Sequence, residues 1–292
     1  MSTTQYLQDV TTRHQIFLER FGNGRSKEAN SMLSRLRRKI NARLAMEPTE
    51  FHRDRLKVLL DEVEALSKIT FGQISEKVIL DVGHLAPVEA SYSAELFGKV
   101  TKMETGYVIP ADSLLVAAAL QTGMSAGVNS GVNPVDALRQ FGDKKTAQIM
   151  TAISDGVSLG LSTPDISKEV GGIMGRQQPR QLRSLINTIV SHTSSISRNE
   201  IYKANDKYIE GFRWISTLDS STTFVCMKRD QEVYRVGIDP MPPAHYNCRS
   251  TTIPAIIGEK QAGNRATGKR PSFGGEGPEQ VNNNLSYGQW LK

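Results

Sequence analysis

FRWISTL, residues 212–218, is the point at which the hydrophobic pattern of this chain changes from a helical period to a period of two. Bulky and polar residues alternate along it, as they do along a half-buried strand. EVYRV (232–236) repeats the alternation, and STTIPAI (250–256) is a third candidate strand. The turn signals between them are DSS at 219–221 and GIDP at 237–240. The stretch 211–257 is therefore predicted to be a small β-containing unit.

The first hundred residues of the chain are typical of successive amphipathic helices, because apolar residues recur at spacings of three and four. Gly22-Asn23-Gly24 predicts a helix end, since both residue types tolerate positive φ. Glu47-Pro48 predicts another end, and Pro87 predicts a kink or break. Short connections favour antiparallel neighbours. Residues 1–100 are therefore predicted to form a helical bundle or an extended set of helical hairpins.

A second helical region is predicted for residues 101–210. It begins with a short helix in the alanine-rich run LLVAAALQTG (114–123), between glycine-rich loops. Asn133-Pro134 is a typical helix start, because Asn can cap and Pro suits the first turn. Ser162-Thr163-Pro164 predicts another start, and the spacing of apolar residues from 179 to 207 is again helical.

The end of the chain has a different composition. From Gly258 to Ser286 it is dominated by Gly, Asn, Pro, Lys and Glu, which cannot bury enough apolar surface to fold alone. We therefore expect 258–292 to be an extended, irregular tail that links to or wraps a partner. The predicted fold class is α+β, mainly α, with an elongated helical amino-terminal region, a small β-containing carboxyl-terminal unit and this tail.

Charge and composition limit the classes of partner. The 292 residues carry a net charge of +6 and a pI near 9.3, which favours polyanions as neighbours, although a moderately charged, solvated surface explains the same balance. No apolar run approaches the roughly 20 residues of a membrane-spanning helix, so no membrane partner is expected. The start, MSTTQYLQDVTTRHQ, lacks the layout of a signal peptide. We expect a cytosol-like compartment in which both cysteines stay reduced.

Basic side chains cluster on the predicted second helix. They point away from its apolar stripe, so a polyanion or another acidic surface would suit them, and a solvated face beside Glu28 and Glu47 is the alternative. The tail adds Lys269 and Arg270, with little aromatic interleaving, which favours sequence-independent phosphate contact. The cluster on the helix is formed by Arg35, Arg37, Arg38, Lys39 and Arg43.

Two cysteines and a histidine predict a candidate zinc site. Cys226, His245 and Cys248 could supply three ligands, with Asp219 as the fourth. His-x-x-Cys is compatible with two ligands from one tight loop, which Pro242-Pro243 would stiffen. Two alternatives remain open. The cysteines could pack as small apolar residues while His245 bonds to the backbone, or they could form a disulfide.

Covalent catalysis is not favoured by the sequence. Cys226 with His245 suggests a thiol nucleophile, but the MKRD that follows Cys226 places it between two strands, without the helix start that would lower a thiol pKa. No phosphate-binding loop or dinucleotide fingerprint occurs. We therefore expect a protein that is not an enzyme.

Three segments around the predicted strands carry a resemblance: ISRNEIYKAND (196–206), RWISTLDSSTTFVC (213–226) and MPPAHYNCRSTTIP (241–254). They resemble the head morphogenesis family typified by the F protein of phage Mu, the minor head proteins of tailed phages. Arg198 and Glu200 match that family's helix signature. The matches that follow in order are Trp214, Asp219, Thr222, Cys226, Pro242, Pro243, His245, Cys248 and Arg249, and the distal YGQWLK (287–292) is also similar.

The sequence departs from the family pattern at three positions. Asn199 replaces a Thr in the helix signature, Phe224 lies near where many relatives have another Cys, and Ser250 stands where the final Cys would be. A metal site here therefore lacks ligands that some relatives possess. The resemblance covers about the carboxyl-terminal third of the chain.

The resemblance implies a virion protein, present in several copies inside the head or at the portal vertex, and in the host cytoplasm during assembly. Its partners would be the portal protein or the major capsid protein, with packaged DNA as a further neighbour. Its function would be head morphogenesis or genome delivery. The competing hypothesis is a toxin-like effector, such as a nuclease, that is delivered with the genome and built on the same unit. A basic scaffold that binds nucleic acid is a third reading.

Overall fold

The structure is a computed structural model that describes residues 3–46, 53–101, 106–126, 130–175, 177–257, 269–274, 277–282 and 285–291. The described residues are 67% helical, and their strands lie in the carboxyl-terminal part, so the predicted α+β, mainly α class is confirmed. No helix among these residues is both long enough and apolar enough to cross a membrane.

The chain forms two compact units. The first consists of Met1–Phe21, Asp81–Pro134 and Asn187–Lys292, and the second of Gly22–Leu80 and Val135–Ile186. The division predicted from the sequence (1–100, 101–210, 211–257 and 258–292) follows local composition along the chain. Each compact unit instead combines stretches that are far apart in sequence.

Six helices precede the first strand in the described residues, and they supply most of the chain's secondary structure. They are α1 (Thr3–Ala45), α2 (Arg53–Thr101), α3 (Asp112–Gln121), α4 (Pro134–Ser158), α5 (Thr163–Ile173) and α6 (Gln177–Ala204). The predicted starts of α4 and α5 are confirmed. At α5 the Ser162 side chain accepts a hydrogen bond from the Asp165 backbone N–H, as a capping serine does.

Helix α1 continues through Gly22-Asn23-Gly24, so the predicted turn there is wrong. Gly22 and Ser26 occupy buried positions, and the Ser26 hydroxyl donates a hydrogen bond to the Gly22 carbonyl at 2.7 Å. Because these small residues keep the buried stripe unbroken, packing outweighs the cost of about 1 kcal/mol for each helical glycine. The stripe runs through Leu18, Gly22, Ser26, Ala29, Leu33, Leu36, Ile40 and Leu44. The end predicted at Glu47-Pro48 lies outside the described residues.

Helix α2 is likewise a single helix with Pro87 inside it, where a kink or break is predicted. The residues on both sides of Pro87 therefore belong to one helix. Leu85 and Ala86 are buried before the proline, and Glu89 and Ala90 after it. Tertiary contacts on both sides offset the roughly 3 kcal/mol that a proline costs inside a helix.

Six strands and two short helices follow in the described residues. The strands are β1 (Ile209–Ile215), β2 (Leu218–Asp219), β3 (Val233–Tyr234), β4 (Thr251–Ile256), β5 (Lys269–Gly274) and β6 (Gly277–Asn282), and the short helices are α7 (Phe224–Arg229) and α8 (Tyr287–Trp290). The strands form two three-stranded sheets. The first has the order β3-β1-β4, all antiparallel, and its strands are the three predicted from the sequence. The second has the order β2-β5-β6, with β2 and β5 parallel.

The described parts of the predicted tail form β5, β6 and α8, which the sequence does not predict. These segments contain few apolar residues, and an ion pair and a hydrogen bond hold them against the rest of the unit. Arg270 is buried in an ion pair with Asp230, and the Tyr287 hydroxyl donates to the Asp219 carbonyl at 2.7 Å. Residues 258–268 lie outside the described part of the chain.

The apolar core of the first unit joins residues from all three of its stretches. Aromatic rings connect α2, α6 and β1, because Tyr202 stacks on Phe97 at 5.7 Å and on Phe212 at 6.3 Å between ring centroids. Strand β1 is thereby buried beneath helices from distant parts of the sequence. Other members of this core are Leu7, Tyr107, Leu115, Ile201, Ile215, Met241 and Ile253.

Candidate functional site

The site begins with strand β1 and helix α7. Trp214 is fully buried on β1, and its indole N–H donates to the Ser216 hydroxyl at 3.1 Å. Ser216 donates in turn to the carbonyl of Cys226 at 2.8 Å, which positions α7 beside the strand. Trp214, Cys226 and Cys248 pack together as one buried cluster. The tryptophan therefore forms one wall around both thiols.

Helix α6 holds the loop that carries His245 and Cys248. The Ser191 hydroxyl donates to the Cys248 carbonyl at 3.3 Å. The Thr188 hydroxyl accepts from the backbone N–H of Asn247, whose φ of 55° is left-handed. The Cys248 N–H closes the turn on the His245 carbonyl at 3.2 Å. This loop is therefore fixed at its backbone, as the sequence predicts for a pair of ligands from one tight turn.

The structure brings Cys226, His245 and Cys248 together. Their ligand atoms all lie within 4.8 Å of one another, and the two sulfurs are 3.6 Å apart. Two thiolates bound to one tetrahedral zinc at about 2.3 Å would lie about 3.8 Å apart. The sulfur separation thus matches a shared metal and is far longer than the bond of about 2.05 Å in a disulfide. The three residues could hold a metal ion.

The histidine ring is oriented by its own loop. Nδ1 of His245 lies 2.9 Å from the Tyr246 carbonyl, and since a carbonyl only accepts, Nδ1 carries the hydrogen. In the neutral ring, which is the form that binds a metal, the lone pair is therefore on Nε2, whereas the protonated ring carries a hydrogen on both nitrogens. Metal-ligating histidines in proteins use the same arrangement, in which the second ring nitrogen donates to a carbonyl or carboxylate.

The three groups influence one another's protonation. The hydrogen bond from Cys226 lowers the pKa of the Cys248 thiol, and His245 lowers it further, against the effect of burial. The same hydrogen bond, followed by burial, raises the pKa of Cys226. The contact with Cys248 raises the pKa of His245. The pattern is that of one thiolate stabilised by a neighbouring thiol and a histidine, which is the role that a cation would take over.

Asp219 does not belong to this group, so the prediction that it is the fourth ligand is wrong. Both of its carboxylate oxygens accept from the Arg249 guanidinium, at 2.5 and 2.7 Å. Burial would raise the pKa of Asp219, but Arg249 together with Ser221 and Thr222 lowers it below its ordinary value. Asp219 is thus held as the anchor of an ion pair.

No family model, curated protein or solved structure matches this chain. The resemblance to minor head proteins therefore rests only on the residues quoted from the sequence.

Cys226 does not lie in the kind of segment that the sequence predicts for it. Cys226 lies on the short helix α7, which begins two residues before it, and not in a plain connection between strands. Its thiol is nonetheless 1% exposed, and its pKa is raised by Cys248 and burial. A thiol with a raised pKa is a poor nucleophile at neutral pH.

The predicted basic contact residues have different environments. Arg35, Arg37, Arg38 and Lys39 are exposed, whereas the partly buried Arg43 forms an ion pair with Glu62. In the predicted tail Lys269 is exposed. Arg270 is 2% exposed and bonds Asp230 with two nitrogens, so the prediction that it contacts a partner is wrong.

A buried polar network that the sequence does not predict joins α2 to α1 and α6, and α6 to β4. Glu89 accepts from the Ser194 hydroxyl at 2.6 Å and lies 2.7 Å from Nε2 of His14. Arg198 donates to the Thr251 hydroxyl and the Thr252 carbonyl, which ties α6 to β4. A glutamate within an apolar helical pattern carries no signal that predicts such a role.

Proposed function

We propose that this protein is a minor head protein of a tailed bacteriophage, a structural component of the virion and not a catalyst. The observation that carries the proposal is that the scattered residues of the quoted motifs bind one another. Trp214, Cys226 and Cys248 share one cluster, and Arg249 binds Asp219. Residues whose partners are each other serve to fix a shape, which supports a docking role over turnover.

The helix signature and the distal segment belong to the same arrangement. Arg198, which carries the helix signature, bonds Thr251 and Thr252 at the start of β4. Tyr287, in the distal segment, bonds the Asp219 carbonyl. The motif residues thus tie a helix, a sheet and the distal segment together within the first compact unit. We propose that this part of the unit docks on the portal protein or on the capsid shell.

We further propose that the ion held by Cys226, His245 and Cys248 is zinc. Two sulfurs and an imidazole are the ligand types that zinc prefers, and the ligand atoms are close enough to share one ion. Water would complete a tetrahedral site. When bound, the ion ties α7 to the 241–249 loop, which is a structural task.

The virion assignment is tested on purified particles. Heads from a producing culture are treated with nuclease, banded by density and analysed by quantitative mass spectrometry. We expect the protein to band with the heads in a small number of copies relative to the major shell protein. If it stays in the soluble fraction while the heads band without it, the proposal is wrong. An asymmetric reconstruction of the particle then separates portal binding from shell binding.

The zinc assignment is tested on the purified protein. Elemental analysis should find about one equivalent of zinc, and Cys248→Ser should remove it and lower the melting temperature. Cys226→Ser should do the same, because both sulfurs bind the ion. Asp219→Asn is the matched control and should retain the metal. Protein that contains no metal and melts unchanged after chelation would contradict the assignment.

A further inference from the structure

We propose that one face of helix α1 binds the phosphate backbone of double-stranded DNA without reading its sequence. This basic face is formed by Arg35, Arg38 and Lys39, whereas Arg37 is also exposed but lies about 100° round the helix from Arg38, outside the face. The inference goes beyond the proposed function, because it names a ligand surface in the second compact unit. Its test does not depend on the virion assignment.

The basic face is set by helical geometry. At 3.6 residues per turn, Arg35, Arg38 and Lys39 fall within an arc of roughly 100°. Leu36 and Ile40, which are buried, lie on the other side of the helix. All four basic residues are exposed. Three cations therefore project together into solvent over a rise of about 6 Å.

The basic side chains have no ion-pair partner in the part of the chain that the structure describes. None of the four forms an ion pair among the described residues, whereas Arg43 has Glu62. There is no Asp or Glu from Ala29 to Ala45. Cations near a helix end can stabilise its dipole, but only Arg43 lies in the last turn of α1. Among the described residues, the basic face is therefore a positive surface without an ion-pair partner.

The absence of apolar anchors favours a polyanion over a protein partner. Residues 22–45 of α1 contain no exposed large hydrophobic side chain. Protein interfaces usually depend on a few buried aromatic or apolar anchors, and single-stranded nucleic acid is usually held by stacking on aromatic rings. A duplex backbone needs neither, since Lys and Arg neutralise phosphates and release counterions.

The test is fluorescence anisotropy with labelled DNA duplexes of unrelated sequence over a range of salt concentrations. The test variant combines Arg35→Gln, Arg38→Gln and Lys39→Gln. The matched control combines Lys68→Gln, Arg139→Gln and Lys168→Gln, which removes the same charge from exposed positions of the same unit. Circular dichroism and thermal melting confirm that both variants fold.

We expect the full-length protein to bind the duplexes equally, with affinity that falls steeply as salt rises. The test variant should bind at least about 10-fold more weakly at low salt, and its salt slope should flatten by two to three units, at about 0.9 per phosphate contact. The control should retain most of the affinity and slope. An equal loss in both variants, binding independent of salt, or stronger binding to polyglutamate than to DNA would overturn the proposal.

Discussion

Asp230 is a buried carboxylate that holds three separate stretches of chain. It accepts from the Ser216 backbone N–H at 2.9 Å, from the Arg270 guanidinium at 2.7 and 3.2 Å, and from the Tyr287 backbone N–H at 3.1 Å. Both members of the Asp230–Arg270 pair are at most 2% exposed. A buried ion pair stabilises a protein only when its remaining polar atoms are also hydrogen-bonded. Both oxygens of this carboxylate accept two hydrogen bonds each.

Asp230→Asn should lower the free energy of unfolding by roughly 3 kcal/mol, because Arg270 is left buried beside a neutral amide. Urea denaturation measures the change. Asp239→Asn is the control, since its pair with Arg235 is exposed, and it should barely move the midpoint. Equal midpoints for the two variants would show that Arg270 is solvated and not buried.

His192 has a pKa that is lowered to about 4 by burial, and a backbone hydrogen bond with Thr122 only partly opposes this. The unfolded chain binds a proton at His192 below about pH 6.5, whereas the folded chain does so only near pH 4. The unfolded state therefore takes up more protons in this window, and stability falls as the pH is lowered through it.

His192→Gln should remove this dependence. Between pH 6.5 and 4 the variant should lose less stability than the parent protein, by up to roughly 3 kcal/mol in total. Chemical denaturation at a series of pH values measures the difference. His84→Gln, at an exposed position, should keep the parent's dependence. If His192→Gln and the parent lose stability in parallel, His192 is not a buried neutral base.

Two helical glycines of the second unit differ in the space around their α-carbons. A Cβ added at Gly24 of α1 would meet nothing within 4 Å, whereas one at Gly142 of α4 would lie 2.8 Å from Cβ of Phe71. Gly24 is therefore a helical position with room for a side chain, whereas at Gly142 helix α4 lies in close contact with Phe71 of α2.

Gly24→Ala should raise the free energy of unfolding by about 0.5–1 kcal/mol, because alanine favours the helix that glycine only tolerates. Gly142→Ala should lower it, since Phe71 must shift. Thermal melting of both variants distinguishes the cases. A marked destabilisation by Gly24→Ala would mean that residues 22–24 form the left-handed turn that the sequence suggests, and not a continuous helix.

The β-containing part of the molecule shares its hydrophobic core with helices from other parts of the chain. The side chains packed with Phe212 and Ile253 include Leu7, Phe97 and Tyr202, which come from α1, α2 and α6. Strand β1 is buried on helices and not on a second layer of sheet. The segment 211–257 is therefore a local pattern inside a larger compact unit.

A fragment that spans residues 205–292 should fail to fold alone, because it leaves Phe212 and Ile253 without their helical partners. We expect disordered amide resonances and no cooperative melting. The full chain should show a cooperative transition at the same concentration. Cooperative melting of the fragment would contradict the packing of β1 against the helices.

The sequence by itself determined the strands of the first sheet and the three residues that could hold a metal ion. Period-two alternation predicted β1, β3 and β4, and the chemistry of Cys226, His245 and Cys248 predicted a shared site, since ligand type and spacing are local properties. It did not predict that α1 passes through its glycines or that α2 passes through Pro87, because propensity costs of 1 to 3 kcal/mol are reversed by burial on other elements.

Only the tertiary structure decided which partners these charged groups bind. Asp219 binds Arg249, Arg270 binds Asp230, and Arg198 ties α6 to β4. These partners are separated by 30 to 54 positions in the sequence. A charged group is stabilised by the polar groups that lie within a few ångströms of it in the folded protein. Sequence spacing predicts which residues are that close only within a helical turn or a hairpin.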